Sequence, residues 1–219
     1  MTKAKILYQQ AATYGLPQAQ CKLGYMYCQG NGVVLNYQNA RDLFERATAR
    51  GHSKAMCQLG LLYEEGKGVE QDYKFARQLY ERANEIGDAR GLSNLARMYD
   101  DGIGCKRDKA KASEYYMTAA EQGDANAQFA MGLRSENKRD FAKAKQFYKK
   151  ASDQGHAKAL LNFGVLEDIE LFREEMDAEA EQEAAAEEDD WGVVTTPQPA
   201  GRSGSKKGSK KGKKGGKKK

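Results

Sequence analysis

The sequence predicts an all-α protein, an α-solenoid of about five helix-turn-helix repeats followed by a disordered C-terminal tail. Three observations support this fold class. Similar segments recur every 36 residues, apolar residues recur at helical spacing within each segment, and glycines and short polar residues mark the segment ends. Such a period is typical of repeat proteins, in which each hairpin buries its apolar face only against its neighbours.

The first helix of each repeat, here called the A helix, comes from segments that align over their length. Tyr37–Gly51 and Tyr73–Gly87 align without a gap, Lys109–Gly123 continues the series, and Phe141–Gly155 arrives four residues early. Lys3–Gly15 is a shortened first copy. In each copy the apolar residues lie three or four positions apart, which predicts a helix with one buried face.

The second helix of each repeat, the B helix, carries a small residue near its middle. Gly24, Gly60, Gly132 and Gly164 recur at this place, and Ala96 stands there in the third repeat. A glycine inside a helix costs about 1 kcal/mol relative to alanine. Its recurrence therefore predicts that another helix approaches closely at this point.

The helix ends are marked by residues suited to capping. Short polar side chains can accept a hydrogen bond from a free backbone N–H group of the first turn, and glycine tolerates the left-handed conformation that ends a helix. The residues are Asn36, Asp72, Asp108 and Asp140 before A helices, Asp88 and Asp124 before B helices, and Gly15, Gly51, Gly87, Gly123 and Gly155 after A helices.

Composition disfavours an enzyme and predicts neither a metal site nor a cofactor. The chain has only two histidines, His52 and His156, which stand at matching places near the start of B helices and have no recurring Cys or Ser partner. The four cysteines form no Cys-x-x-Cys element. No apolar run approaches the roughly 20 residues that span a bilayer, so no membrane span is predicted.

Two acidic pairs end successive B helices. They are Glu64-Glu65 and Asp100-Asp101. Because no insertion near them would form a cleft, we expect solvated helix ends, with an acidic patch along one edge as the alternative.

These patterns resemble the Sel-one-like repeat family, whose members are relatives of tetratricopeptide repeat proteins. The turn after the second B helix matches the family pattern Gly-x-Gly-Val with Asp-Tyr opening the next A helix, at Gly66, Gly68, Val69, Asp72 and Tyr73. The resemblance covers about three quarters of the chain. It implies a curved solenoid that acts as an adaptor or scaffold for protein complexes and has no chemistry of its own.

Basic residues recur on the A helices at two repeat positions. In tetratricopeptide-like stacks these helices line the concave side, so the two stripes are candidate partner-binding residues. The alternative is ordinary surface pairing, for example of Arg41 with Glu45 and of Arg77 with Glu81. One stripe is Lys5, Arg41, Arg77 and Lys145, and the other is Arg46, Arg82 and Lys150.

Charge divides the C-terminal part of the chain. The solenoid is expected over residues 1–176, with Leu166, Ile169, Leu171, Phe172 and Met176 covering its end. Residues 177–200 form an acidic, partly helical or disordered segment, and residues 201–219 form a disordered tail rich in Lys and Gly. Candidate polyanion-binding residues of the tail are Lys206, Lys207, Lys210, Lys211, Lys213 and Lys214.

The sequence therefore favours a non-enzymatic, monomeric scaffold or adaptor that binds a protein or peptide partner along the concave A-helix face. The alternative is a nucleic-acid- or ribosome-associated factor anchored by the basic tail, which could also contact acidic proteins without specificity. A cytoplasmic location is expected, with the nucleus as a second possibility.

Overall fold

The computed structural model describes residues 3–191, with side chains described over residues 5–184. This part of the chain forms ten α-helices and contains no β-strand, which confirms the predicted all-α fold of helical hairpins. None of the described helices combines the length and the apolar composition needed to span a membrane. The A helices are α1 (Lys3–Thr13), α3 (Tyr37–Ala49), α5 (Tyr73–Glu85), α7 (Lys109–Glu121) and α9 (Phe141–Ser152), and the B helices are α2 (Pro17–Gln29), α4 (Ser53–Glu65), α6 (Ala89–Asp101), α8 (Ala125–Asn137) and α10 (Ala157–Trp191).

The predicted helix caps are present. The Asp72 side chain accepts a hydrogen bond from the Phe75 amide at 2.9 Å, and the other five predicted polar caps accept first-turn amides in the same way. The five glycines predicted to follow A helices all have left-handed backbones, with φ between 78° and 93°. These local signals fix where each helix begins and ends.

The two histidines also cap helices, a role that the sequence analysis did not assign. His52 Nδ1 accepts a hydrogen bond from the Ala55 amide at 3.2 Å, and His156 Nδ1 accepts one from the Ala159 amide at 3.1 Å. They occupy the position that Asp88 and Asp124 hold before α6 and α8. A neutral imidazole is required at this position, because only an unprotonated nitrogen can accept.

Close packing between each B helix and the following A helix explains the recurring glycines. A β-carbon at Gly60 would lie 2.5 Å from the Tyr80 ring, and one at Gly24 would lie 2.7 Å from the Phe44 ring. A β-carbon at Gly132 would likewise collide with the Tyr148 ring. Phe44, Tyr80 and Tyr148 are completely buried. Each B helix accordingly packs more extensively against the A helix that follows it than against the one before it.

Helix α10 belongs to two units. Contacts divide the chain after Leu171, into residues 1–171 and residues 172–219. Leu166 is buried, but Ile169, Leu171 and Phe172 are at least half exposed and Met176 is 49% exposed. Of the five residues predicted to cover the end of the solenoid, only Leu166 is therefore packed as that role requires. The predicted boundary after residue 176 stays a prediction, and residues 192–219 lie outside the described residues.

Candidate partner-binding groove

The B helices form the more tightly spaced side of the repeat array. Successive B helices contact each other directly, α2 with α4, α4 with α6 and α6 with α8. Successive A helices make no contact of similar extent within the described part of the chain. The B helices are thus the more closely spaced set, and the expectation that the A helices line the concave side stays a prediction. We call the surface formed by the B helices the B side.

A groove of about 630 Å³ lies on the B side, between α6, α8 and the start of α10. Asn94 and Asn126 contribute side-chain amides to its lining, and Leu133 contributes an apolar surface that is 38% exposed. Lys158 lines it from α10 and Asp101 from the end of α6. The groove thus offers hydrogen-bond donors, hydrogen-bond acceptors and an apolar contact on consecutive helices.

One buried network lies beside this groove and joins three helices. The Glu64 carboxylate accepts a hydrogen bond from the Tyr80 hydroxyl at 2.9 Å and two from the Arg97 guanidinium at 2.7 Å each. Glu64 is 6% exposed, and 33% of the Arg97 side chain is exposed to the groove side. A bidentate pair of this kind fixes the orientation of the arginine as well as neutralising the acid.

A second ion pair lies one repeat further along the chain and has a different geometry. Arg134 on α8 pairs with Asp100 on α6 at 2.9 Å, and its guanidinium carbon lies 4.6 Å from the centre of the Tyr116 ring. All three side chains line the groove. A guanidinium over an aromatic face gains electrostatic attraction in addition to its ion pair.

The structure thus corrects the prediction that both acidic pairs are solvated. Glu65 and Asp101 are exposed, but Glu64 is buried and Asp100 is half-buried and paired with Arg134. The sequence did contain a signal. One repeat earlier, Cys28, Phe44 and Leu61 stand where Glu64, Tyr80 and Arg97 stand, so the acid, the hydroxyl and the base are absent together.

The protonation states of the network follow from burial. Burial raises the pKa of the Tyr80 hydroxyl, and the neighbouring Glu64 raises it further. Burial raises the pKa of Tyr116 to about 12. For Arg97, burial disfavours the charged form, but the hydrogen bonds to Glu64 outweigh it and the pKa is raised overall. The tyrosines therefore keep their protons and Arg97 keeps its charge near neutral pH.

The basic residues predicted to bind a partner on the A helices divide into two groups. Arg41 lies 2.7 Å from Asp42 and 3.7 Å from Glu45. Arg77 lies 3.9 Å from Glu81, and Lys145 pairs with Glu167 and Glu170 on α10, so ordinary surface pairing describes these three. Lys5 is partly exposed. The second stripe, Arg46, Arg82 and Lys150, is exposed and forms no ion pair among the described residues.

Three further kinds of candidate residue remain: the cysteines, the possible metal ligands and the lysines of the tail. All four cysteines are free thiols, and two of them, Cys21 and Cys57, are buried. The described residues contain no cluster of three or more His, Cys, Asp or Glu side chains that could hold a metal ion. The candidate lysines between Lys206 and Lys214 lie outside the described residues, so polyanion binding by the basic tail stays a prediction.

A family model matches the repeats of this chain. The family model described as Sel1 repeat matches residues 1–15, 17–52, 53–88, 89–124 and 125–156. The chain belongs to the Sel1 repeat family. Sel1 repeat proteins generally mediate protein-protein interactions on a non-enzymatic scaffold. No curated protein matches the chain in sequence.

Solved structures agree with this assignment. A Sel1 repeat protein from Oxalobacter formigenes is 34% identical, with a TM-score of 0.62, and the match covers 74% of this chain and 68% of that one. The protective antigen c5321 of uropathogenic Escherichia coli, described as displaying an SLR fold, is 36% identical with a TM-score of 0.58 over 74% of this chain. The match spans only 36% of c5321. Immunity protein Pa5087 from Pseudomonas aeruginosa, at 24% identity, a TM-score of 0.56 and 71% and 59% coverage of the two chains, shares the fold.

The family repeat begins one helix later than the unit inferred from the sequence. Its copies start at residues 17, 53, 89 and 125, each at the beginning of a B helix, and end just after the following A helix. The extensive packing of each B helix on the following A helix agrees with this division. In a Sel1 repeat of this chain, the B helix is therefore the first helix.

Proposed function

We propose that this Sel1 repeat protein is a non-enzymatic scaffold that binds an extended segment of a partner protein in the B-side groove. The observation that carries this proposal is the groove of about 630 Å³ between α6, α8 and α10, lined by amide, apolar and charged side chains of successive repeats. It replaces the A-helix surface favoured by the sequence alone.

The chemistry of the lining suits a peptide main chain. Asn94 and Asn126 each carry a donor and an acceptor, and the main chain of an extended peptide needs both. Leu133 supplies an apolar contact for a partner side chain. The groove would therefore recognise the partner through hydrogen bonds to its main chain and through a contact with at least one apolar side chain.

The groove is also preorganised. Arg97 and Arg134 are held by Glu64 and Asp100, so two long side chains of the lining lose little freedom when a partner binds. Fixing side chains before binding lowers the entropy that association costs, by about 0.5–1.5 kcal/mol for each long side chain.

The test compares proteins recovered by affinity purification and quantitative mass spectrometry from the full chain and three variants. Leu133→Arg places a long charged side chain in the groove at a partly exposed position. A triple variant, Arg46→Glu with Arg82→Glu and Lys150→Glu, alters the unpaired A-helix stripe, and deletion of residues 201–219 removes the basic tail. We expect Leu133→Arg to lose the partner and the other two variants to retain it.

Two other patterns of partner loss would contradict binding in the B-side groove. Loss of the partner only in the triple variant would place binding on the A helices and refute the groove. Loss only after deletion of residues 201–219 would favour the factor anchored to nucleic acid or another polyanion.

A further inference from the structure

The contact between a B helix and the following A helix has three recurring parts. A tyrosine ring on the A helix lies over a glycine on the B helix, and its hydroxyl donates to an acid four residues beyond that glycine. Tyr80 uses Gly60 and Glu64 in this way, and Tyr148 uses Gly132 and Glu136. These contacts define the geometry by which one repeat continues into the next.

Helix α1 carries the ring half of this contact, and no described glycine has that ring over it. Tyr8 stands 36 residues before Phe44 and 72 before Tyr80, at the same repeat position. It is 36% exposed, whereas Phe44 and Tyr80 are completely buried. Leu7, beside it, is 65% exposed, although Leu79 at the same place on α5 is 1% exposed.

Helix α10 carries the glycine half, and no ring from the described part of the chain lies over it. Gly164 stands where Gly132 does on α8, and no described atom lies within 4 Å of the position a β-carbon would take. Asp168 follows four residues later, at the place of Glu136, and is exposed. Leu161, at the place of Phe129, is 69% exposed.

The surroundings of the two half-sites are complementary. A cavity of about 850 Å³, lined by Leu7 and Tyr8 of α1 and by Cys21 of α2, adjoins the exposed ring. Helix α1 contains two lysines and no acidic residue, whereas α10 presents the exposed Asp168 close to Gly164, beside Glu167 and Glu170, which pair with Lys145. Opposite charges at the two surfaces favour their association.

We propose that the chain associates with a second copy of itself, head to tail, by docking α1 of one copy on α10 of another. Tyr8 fills the space over Gly164, its hydroxyl donates to Asp168, and the repeat array continues across the boundary between the copies. The contact is heterologous, because it joins two different surfaces of the same chain. It is independent of the B-side groove, so either proposal can fail alone.

The test measures mass against concentration by sedimentation equilibrium for the full chain and two variants. Tyr8→Ala removes the ring, and Gly164→Leu fills the space that the ring would occupy, at a helical position with no described neighbour. We expect the full chain to exceed the mass of one copy as its concentration rises. Each variant alone should associate more weakly by about tenfold or more, as expected when a buried aromatic anchor is lost.

Mixing the two variants tests the head-to-tail geometry. The Tyr8→Ala chain keeps an intact α10, and the Gly164→Leu chain keeps an intact α1, so an equimolar mixture should form a dimer of the two and nothing larger. Tyr14→Ala, which removes an 84% exposed tyrosine from the turn of the same hairpin, should behave as the unaltered chain. A full chain that stays monomeric, or a mixture that does not associate, would overturn the proposal.

Discussion

The guanidinium group of Arg97 donates two hydrogen bonds, each 2.7 Å long, to the carboxylate of Glu64 on the preceding B helix. The pair thus connects neighbouring Sel1 repeats beside the candidate groove. Because Glu64 is buried and Arg97 is only partly so, the two residues should respond differently to substitution.

Replacing Arg97 alone tests the contribution of this pair to stability. Arg97→Leu leaves the Glu64 carboxylate buried with only the Tyr80 hydroxyl as a partner. Removing one member of a buried pair costs about 3–5 kcal/mol, and we expect about 2 kcal/mol here because the arginine is partly solvated. Urea unfolding measures the loss, and Glu65→Gln, at the exposed neighbour, should change stability by less than about 0.5 kcal/mol.

Replacing the whole network should be far less harmful. The combination Glu64→Cys, Tyr80→Phe and Arg97→Leu copies the residues that the preceding repeat uses at Cys28, Phe44 and Leu61. Exchanging a buried ion pair for apolar groups is often neutral or stabilising. We expect the free energy of unfolding to lie within about 1 kcal/mol of the original, and a triple variant less stable than Arg97→Leu alone would contradict this interpretation.

Replacing a glycine of a B helix by alanine should change the stability of the fold in a direction that depends on whether a ring lies over that glycine. Gly60→Ala places a β-carbon 2.5 Å from a buried tyrosine ring and should destabilise the fold by about 1–3 kcal/mol. Gly164→Ala is the matched control, because no described atom lies within 4 Å of its β-carbon. It should gain up to about 1 kcal/mol of helix stability. Thermal unfolding of both variants checks the opposite signs.

The histidine cap of α4 should make stability depend on pH. Burial, with a further contribution from Arg90, lowers the pKa of His52 below its ordinary value of 6.5. The unfolded chain then takes up a proton at a higher pH than the folded chain does, so stability is complete above pH 6.5 and decreases as the pH falls below it. His52→Asn keeps a capping acceptor and removes the titration.

The measurement is the free energy of urea unfolding at several pH values between about 5 and 8, the range in which histidine titrates. We expect the original chain to lose more stability than His52→Asn as the pH decreases. Parallel profiles for the two proteins would refute the assigned role of His52.

The buried Cys57 and the partly buried Cys28 should be protected from alkylation. Burial raises the pKa of Cys57 to about 12 and that of Cys28 to about 11. Because the thiolate is the reactive form, we expect both to react with iodoacetamide near neutral pH at least about a hundredfold more slowly than a free thiol, and Cys57 more slowly than Cys28. Peptide mapping in buffer and in urea measures the difference, and equal labelling in both conditions would show that these side chains are accessible in the folded protein.

The fold could be predicted because its signals are local and repeated. Asp72 accepts the Phe75 amide and Gly51 has φ of 78°, as the recurring caps predicted from the sequence. Gly60 was correctly predicted to mark a close approach of helices. What the sequence did not specify was the partner, since the approaching ring of Tyr80 belongs to the following A helix rather than the preceding one.

The groove was harder to predict because it depends on how successive helices are arranged in space. Glu64 and Glu65 are adjacent, and one step along a helix turns a side chain by about 100°, which separates a buried residue from a solvated one. Composition could not distinguish them. Helical periodicity likewise gives no indication of which set of helices lies closer together, so the partner surface was first assigned to the A helices.

The Glu64 network is absent from the preceding repeat, and this difference helps to prevent helices of similar sequence from packing against the wrong neighbours. If helix α4 packed in the place of the preceding B helix, α2, the Glu64 carboxylate would meet the ring of Phe44, which has no hydroxyl to donate. A buried acid without a donor is costly, so such misassembled forms would lie well above the native arrangement. The polar network around Glu64 therefore helps to give these similar hairpins a defined order.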